Sequence, residues 1–239
     1  MIDVQLIPIL EDNYAYLIKT PCEKTAILDP GEADPIIKIL ENNNLNLDYI
    51  FITHHHWDHV NGVSKLKKKY KCKVVAPQAE ANKIKGVDIG LNDGDIFELG
   101  SETTKIILTP GHTLGAICYY FKDSKALFTG DTLFSLGCGR LFEGTAKEML
   151  ESLEKIMLLP DDTLVYCGHE YTLENSNFCL AKTPNNKYLI DRIAEVKQLI
   201  SSGKPSIPST IGMEKNTNIF LNAKNAEEFR IIRQERDNL

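Results

Sequence analysis

The sequence predicts a mixed α/β protein in which two packed sheets carry helices outside them, followed by a small helical domain. Three observations predict it. Short apolar segments of four to six residues recur through the first two-thirds of the chain, separated by Gly, Pro and Asp turns. Helical patterns are interleaved with them, but too few for a strict strand–helix alternation. Beyond about residue 172 the strand patterns stop and only helical spacing continues.

Strands are expected at residues 4–9, 14–18, 25–28, 49–53, 73–76, 96–99, 105–109, 117–121, 126–129 and 164–167. A first helix follows Asp34-Pro35, where Asp34 can cap and Pro35 suits the first helical position. A second sets Val60, Val63 and Leu66 on one face, and a third spans residues 147–157. In the tail, helices are expected at residues 172–181, 186–201 and 226–236. The run Ser202-Gly203-Lys204-Pro205-Ser206-Ile207-Pro208 breaks the second from the third. The expected division is a main domain over residues 1–171 and a helical domain over residues 172–239.

The hydrophobic share of 43% and charged share of 25% are those of a globular chain, not a disordered one. A formal net charge of −6 argues against function by binding nucleic-acid phosphates or anionic membranes. No apolar stretch is long enough to span a bilayer, and Met1-Ile2-Asp3-Val4 does not open a signal peptide. The six cysteines are scattered without a C-x-x-C pair, so reduced thiols in the cytoplasm are expected; a monomer is the expected state.

Chemistry concentrates where apolar strands run out. Behind Tyr49-Ile50-Phe51-Ile52-Thr53 comes His54-His55-His56-Trp57-Asp58-His59. Alternate imidazoles followed by a carboxylate and another imidazole can aim ligands at two neighbouring points, a donor set suited to Zn²⁺, Fe or Mn. Only two histidines lie elsewhere, His112 in Pro110-Gly111-His112 and His169 in Cys167-Gly168-His169; Asp131 ends Thr129-Gly130-Asp131. Each has a glycine before it, which permits a sharp turn and close backbone approach. A lone His or Asp at a strand end is usually structural, but three of them beside the His cluster make seven candidate ligands, about what two ions need.

The order His54-x-His56-x-Asp58-His59, His112, Asp131, His169 resembles the metallo-β-lactamase superfamily signature. Longer strings resemble glyoxalase II. They are Glu11-Asp12-Asn13-Tyr14, Asp29-Pro30-Gly31, Gly137-Cys138-Gly139-Arg140 with Phe142-Glu143-Gly144-Thr145, Cys167-Gly168-His169-Glu170-Tyr171-Thr172 and Ile207-Pro208-Ser209-Thr210. The resemblance implies an αββα four-layer sandwich with a small C-terminal helical domain. It implies one divalent metal on His54, His56 and His112 and a second on Asp58, His59 and His169, bridged by Asp131. Zinc is the expected metal, with iron or manganese as alternatives. His55 would be a bystander, and Asp29 would orient a ligand imidazole, although a turn residue in Asp-Pro-Gly accounts for it equally well. Asp58 and Asp131 are the carboxylates placed closest to the reaction. Such an ion pair acidifies water enough to attack a thioester carbonyl near neutral pH.

The implied substrate is a glutathione thioester, S-D-lactoylglutathione, hydrolysed in methylglyoxal detoxification. Its carboxylates need cations, and the resemblance points to Arg140, Arg233 and Arg236, with Tyr171 and Phe142 beside the peptide; a solvated helix end is the alternative for the last two arginines. Arg230 reads as a solvent-facing neighbour. The family often has Lys at the place of Arg140 and Tyr at the place of Phe142, and the 217–222 stretch lacks one common arginine. The nearest rival is a mononuclear-iron persulfide dioxygenase of the same superfamily. A β-lactamase, a nuclease and a non-catalytic metal module stand behind it.

Overall fold

Hydrophobic strands open the chain, and in this computed structural model, which describes residues 1–238, they assemble in sequence order. Compactness divides the chain into two units, Met1–Leu108 with Gly115–Ser124, and Thr109–Leu114 with Lys125–Leu239.

In the first unit β1 (Asp3–Ile9), β2 (Asn13–Lys19), β3 (Thr25–Leu28), β4 (Tyr49–Phe51), β5 (Lys73–Pro77) and β6 (Ile89–Leu91) lie side by side. The pairs β1–β2 and β2–β3 are antiparallel, whereas β3, β4, β5 and β6 pair in parallel. Parallel neighbours end on one edge, so Asp29 after β3 and the histidine turn after β4 emerge together. Three helices serve this sheet: α1 (Asp34–Asn42), α2 (Trp57–Val60) and α3 (Val63–Tyr70). Ile36 and Leu40 of α1 and Val63 and Leu66 of α3 are buried in one apolar cluster with Ile27, Ile50 and Val74. Strands β7 (Ile96–Leu99), β8 (Glu102–Leu108) and β9 (Ile117–Phe121) form an antiparallel meander. Its Tyr119 ring stacks on Phe51 at 5.0 Å, and its hydroxyl donates to the Ile52 carbonyl at 2.9 Å.

Two expectations change here. Asp34 is not the cap of α1; Ala33 holds that position without a side-chain hydrogen bond, and Asp34 lies in the first turn, where its carboxylate faces the helix dipole and pairs with Lys65. The second expected helix is split at Asn61-Gly62 into α2 and α3, because the Gly62 N–H donates to the Pro30 carbonyl at 2.8 Å.

In the second unit β10 (Ala126–Gly130) pairs in parallel with β13 (Leu164–Cys167), and β14 (Ser209–Thr210) adds antiparallel to β13. Between them β11 (Leu133–Phe134) and β12 (Gly137–Cys138) make a hairpin. Helix α4 (Ala146–Met157) starts at a Thr145–Glu148 capping box. The tail holds α5 (Thr172–Lys182), α6 (Lys187–Ser201), α7 (Ile211–Thr217) and α8 (Ala226–Asp237). Strands β6, β11, β12 and β14 and helix α7 were not anticipated; they are too short to show a period.

Side chains from the tail hold the β11–β12 hairpin. Asn175 donates to the Ser135 carbonyl at 3.1 Å, Asn218 to that of Gly137 at 3.0 Å, and Arg233 to that of Cys138 at 2.8 Å. The buried Glu214 carboxylate accepts the Leu136 N–H at 2.8 Å, and burial pushes its pKa above the usual carboxyl range. Among the described residues no helix is long and apolar enough to cross a membrane.

Candidate metal centre

In the first unit the histidine turn is the continuation of β4. Ile52 keeps the parallel register by donating to the Val75 carbonyl at 2.9 Å, after which the chain leaves the sheet and enters α2 at His56. Asp29, at φ 49° just beyond β3, is 1% exposed and lies under this turn. Its carboxylate accepts the Thr53 N–H at 2.8 Å and the Thr53 hydroxyl at 2.7 Å, and meets His59 Nδ1 at 3.0 Å. The His59 Nδ1–H donates to this carboxylate, which leaves Nε2 as the lone-pair atom. The Thr53 hydroxyl, its proton committed to Asp29, accepts from His54 Nδ1 at 3.0 Å. One buried carboxylate thus sets the tautomers of two imidazoles, one directly and one through Thr53. Gly31 is needed beside it, since a Cβ there would overlap the Asp58 carbonyl oxygen.

In the second unit the parallel pair β10–β13 ends with Asp131 and His169 just beyond adjacent strands, and the 109–114 turn contributes His112. Asp131 Oδ2 is 3.4 Å from His112 Nε2 and 3.3 Å from His169 Nε2. His112 Nδ1 donates to the Arg140 carbonyl at 2.8 Å. The His169 ring stacks on Tyr171 at 4.8 Å and meets Phe134 edge-on at 5.8 Å. Gly139 closes over both residues; a Cβ on it would overlap the Asp131 carbonyl oxygen and approach His112 Nδ1 to 3.0 Å.

The donor atoms fit metal binding. In the first unit His54 Nε2 and His56 Nδ1 are 3.2 Å apart, and His59 Nε2 and Asp58 Oδ2 are 3.4 Å apart. Two nitrogens on one tetrahedral zinc are separated by about 3.3 Å, given bonds of about 2.0–2.1 Å. The distances around Asp131 in the second unit fall in the same range. Asn13 further holds Asp58 Oδ2 at 2.9 Å. Burial pushes the Cys138 thiol up to about 11 and that of Cys167 up to about 12, which favours their protonated forms.

The residues named for substrate binding lie in different surroundings within the second unit. The Arg140 side chain is 60% exposed, with Asp237 as a 3.5 Å partner. Phe142 is 64% exposed, its ring 5.2 Å from that of His112. Arg236 lies 3.4 Å from both Asn175 Oδ1 and Glu174 Oε2. Arg233 is turned inward: it is buried, pairs with Asp237 at 2.9 Å, and sits 5.0 Å from the Phe220 ring centre. Arg230 is exposed and pairs with Glu227 on its own helix. The sequence assigns no role to Thr53, Asn13 or Glu80; Thr53 ends the strand before the histidine turn and Asn13 lies in Glu11-Asp12-Asn13-Tyr14, whereas Glu80 in Gln78-Ala79-Glu80 carries no signal.

The chain is similar to known proteins over its whole length. The metallo-beta-lactamase superfamily model matches residues 9–169, and that of the hydroxyacylglutathione hydrolase C-terminus matches residues 170–239. A hydroxyacylglutathione hydrolase of Pelagibacter ubique is 46% identical over 237 residues, 99% of each chain. One of Rhodopseudomonas palustris is 49% identical over 222 residues, 92% of this chain and 87% of its own. The crystal structure of ETHE1 from Myxococcus xanthus matches at TM-score 0.74 and 26% identity, covering 100% of this chain and 92% of its own. That of the BLEG-1 B3 metallo-beta-lactamase matches at TM-score 0.72 and 26% identity, covering 92% and 99%. The fold is therefore the metallo-β-lactamase fold with a helical C-terminal region, its histidine–aspartate sets are able to bind metal, and the chain belongs to the hydroxyacylglutathione hydrolase family of that superfamily.

Proposed function

We propose that the protein hydrolyses S-(2-hydroxyacyl)glutathione, S-D-lactoylglutathione above all, to glutathione and the 2-hydroxy acid, D-lactate, in methylglyoxal detoxification. One observation carries the reading beyond the family: Asp131 Oδ2 stands 3.4 and 3.3 Å from imidazole nitrogens of two different histidines, as a carboxylate shared by two ions would. In this reading His54, His56 and His112 would hold one ion and Asp58, His59 and His169 the other, with Asp131 serving both; zinc would suit the donors best. Two such ions, when bound, would supply Lewis-acid polarisation of the thioester carbonyl and a water made nucleophilic at neutral pH. The chain's own part is to hold lone pairs in place: Asp29 orients His59 and, through Thr53, His54, while the Arg140 carbonyl orients His112. A thiolate leaves without strong acid assistance, and no further histidine is reserved for that step. We place the functional boundary at 171/172, with the tail binding the glutathione peptide and the enzyme acting as a cytoplasmic monomer.

Purified protein is expected to carry close to two ions per chain and to hydrolyse S-D-lactoylglutathione, with activity lost on chelation and restored by zinc. One tightly bound iron, with oxygen uptake in the presence of a persulfide, would replace this reading by the dioxygenase. Different environments separate the arginines. Arg140→Ala is expected to raise KM about ten- to a hundredfold and leave kcat and the thermal midpoint nearly unchanged, because an exposed cation gripping a distal carboxylate contributes alike to ground and transition states. Arg233→Ala is expected to lower the thermal midpoint by the equivalent of about 2 kcal/mol, since a buried guanidinium bonded to Cys138 and Asp237 is lost. Steady-state kinetics with thermal melts of both variants checks the split; an unchanged melt for Arg233→Ala would return it to substrate binding beside Arg236.

A further inference from the structure

We infer that Glu80 is a positioning residue for the metal-binding turn, an inference that rests on the metal reading above. Glu80 ends a short 3-10 turn, Gln78–Glu80, directly after β5, and is 1% exposed. Its Oε2 accepts the backbone N–H of His55 at 2.7 Å and meets His55 Nδ1 at 2.8 Å; its Oε1 accepts the N–H of Gly115 at 3.0 Å. A carboxylate so deeply buried is costly unless such donors surround it. All three bonds go to segments next to candidate ligands. The His55 N–H belongs to the peptide that joins His54 to His55, and His55 stands between two ligands that point to one ion. Gly115 follows His112 by three positions.

The turn is therefore strung between two buried carboxylates. Asp29 takes Thr53 and His59, while Glu80 takes the peptide and ring between His54 and His56. Rotation of the 54–55 peptide would swing both flanking imidazoles off their 3.2 Å spacing, and Glu80 opposes that rotation. His55, a bystander as a ligand, thereby helps to fix the turn, because its ring adds a second bond to the same carboxylate.

The experiment measures zinc affinity by chelator competition on the folded protein, with thermal melts beside it, for Glu80→Ala, Glu80→Gln and Val74→Ala. Val74 is a fully buried strand residue of the same unit, and its truncation lowers stability through packing alone. Glu80→Ala is expected to weaken zinc binding about ten- to a hundredfold. Glu80→Gln falls between it and the parent, because its amide oxygen still accepts one N–H. Val74→Ala stays within about threefold of the parent despite a lower melt. Parental zinc affinity in Glu80→Ala, or an equal loss in Val74→Ala, would overturn the inference. Zinc affinity does not depend on the thioester used: a parent that binds zinc but leaves S-D-lactoylglutathione intact loses the functional reading alone, and one that binds no zinc loses both.

Discussion

Replacing His56 by alanine is expected to lower kcat/KM for S-D-lactoylglutathione by at least about two orders of magnitude, with the protein folded and its metal content reduced. His56 Nδ1 lies 3.2 Å from His54 Nε2, so its loss removes one of two donors aimed at the same point. The residue is only half-buried at the start of α2, so little core packing is lost with it, and the melt of the metal-free protein should barely move. His55→Ala is the matched comparison. It removes one ring bond to Glu80 but keeps the backbone bond, and a single neutral hydrogen bond is worth about 0.5–1.5 kcal/mol. Its rate is expected within about threefold of the parent, since the peptide stays anchored. Steady-state rates and metal analysis of the two proteins decide the matter; equal damage from both would discard the alternation of ligand and bystander.

Gly139→Ala is expected to be nearly as damaging, although glycine has no side chain to contribute. A Cβ at this position would overlap the Asp131 carbonyl oxygen and press to 3.0 Å from His112 Nδ1. Neither neighbour can retreat cheaply. Asp131 follows directly on β10, and His112 Nδ1 is tied at 2.8 Å to the Arg140 carbonyl, the residue next to the substituted one. The 137–140 segment must instead move outward, and the His112 ring turns with its partner. Misplacing such a group by about 1 Å can cost about a hundredfold in rate, so kcat should fall by that order. Arg233 anchors the same segment through Cys138, so the thermal midpoint should fall as well. A folded Gly139→Ala enzyme with parental kcat and zinc content would mean that the segment is not holding His112.

Local patterns made much of the fold legible. Strands β1 to β5, β7 to β10 and β13 follow from runs of apolar, β-branched and aromatic residues between turn residues. Helices α4, α5, α6 and α8 follow from the helical spacing of their residues between breaks in the chain. Two-residue strands have no period to read. The α2–α3 break was hidden for another reason: its cause, the Pro30 carbonyl, lies 32 positions away from Gly62.

The sequence by itself determined the fold class, the family and the residue types that make a metal site, because strand ends, glycines and imidazoles are written locally and in a fixed order. Only the tertiary structure decided who holds each group. His59 meets Asp29 across 30 positions, His112 meets Arg140 across 28, His55 meets Glu80 across 25, and Arg233 meets Cys138 across 95. These bonds arise from how strands and helices are juxtaposed, and nothing in the residues flanking Glu80 or Arg233 distinguishes a buried anchor from a solvated charge. Arg233 shows the difference most plainly. Its three-residue spacing from Arg236 suggested a paired clamp; the fold adds that its guanidinium packs on Phe220 and bonds the Cys138 carbonyl and Asp237, the partners a buried charge needs.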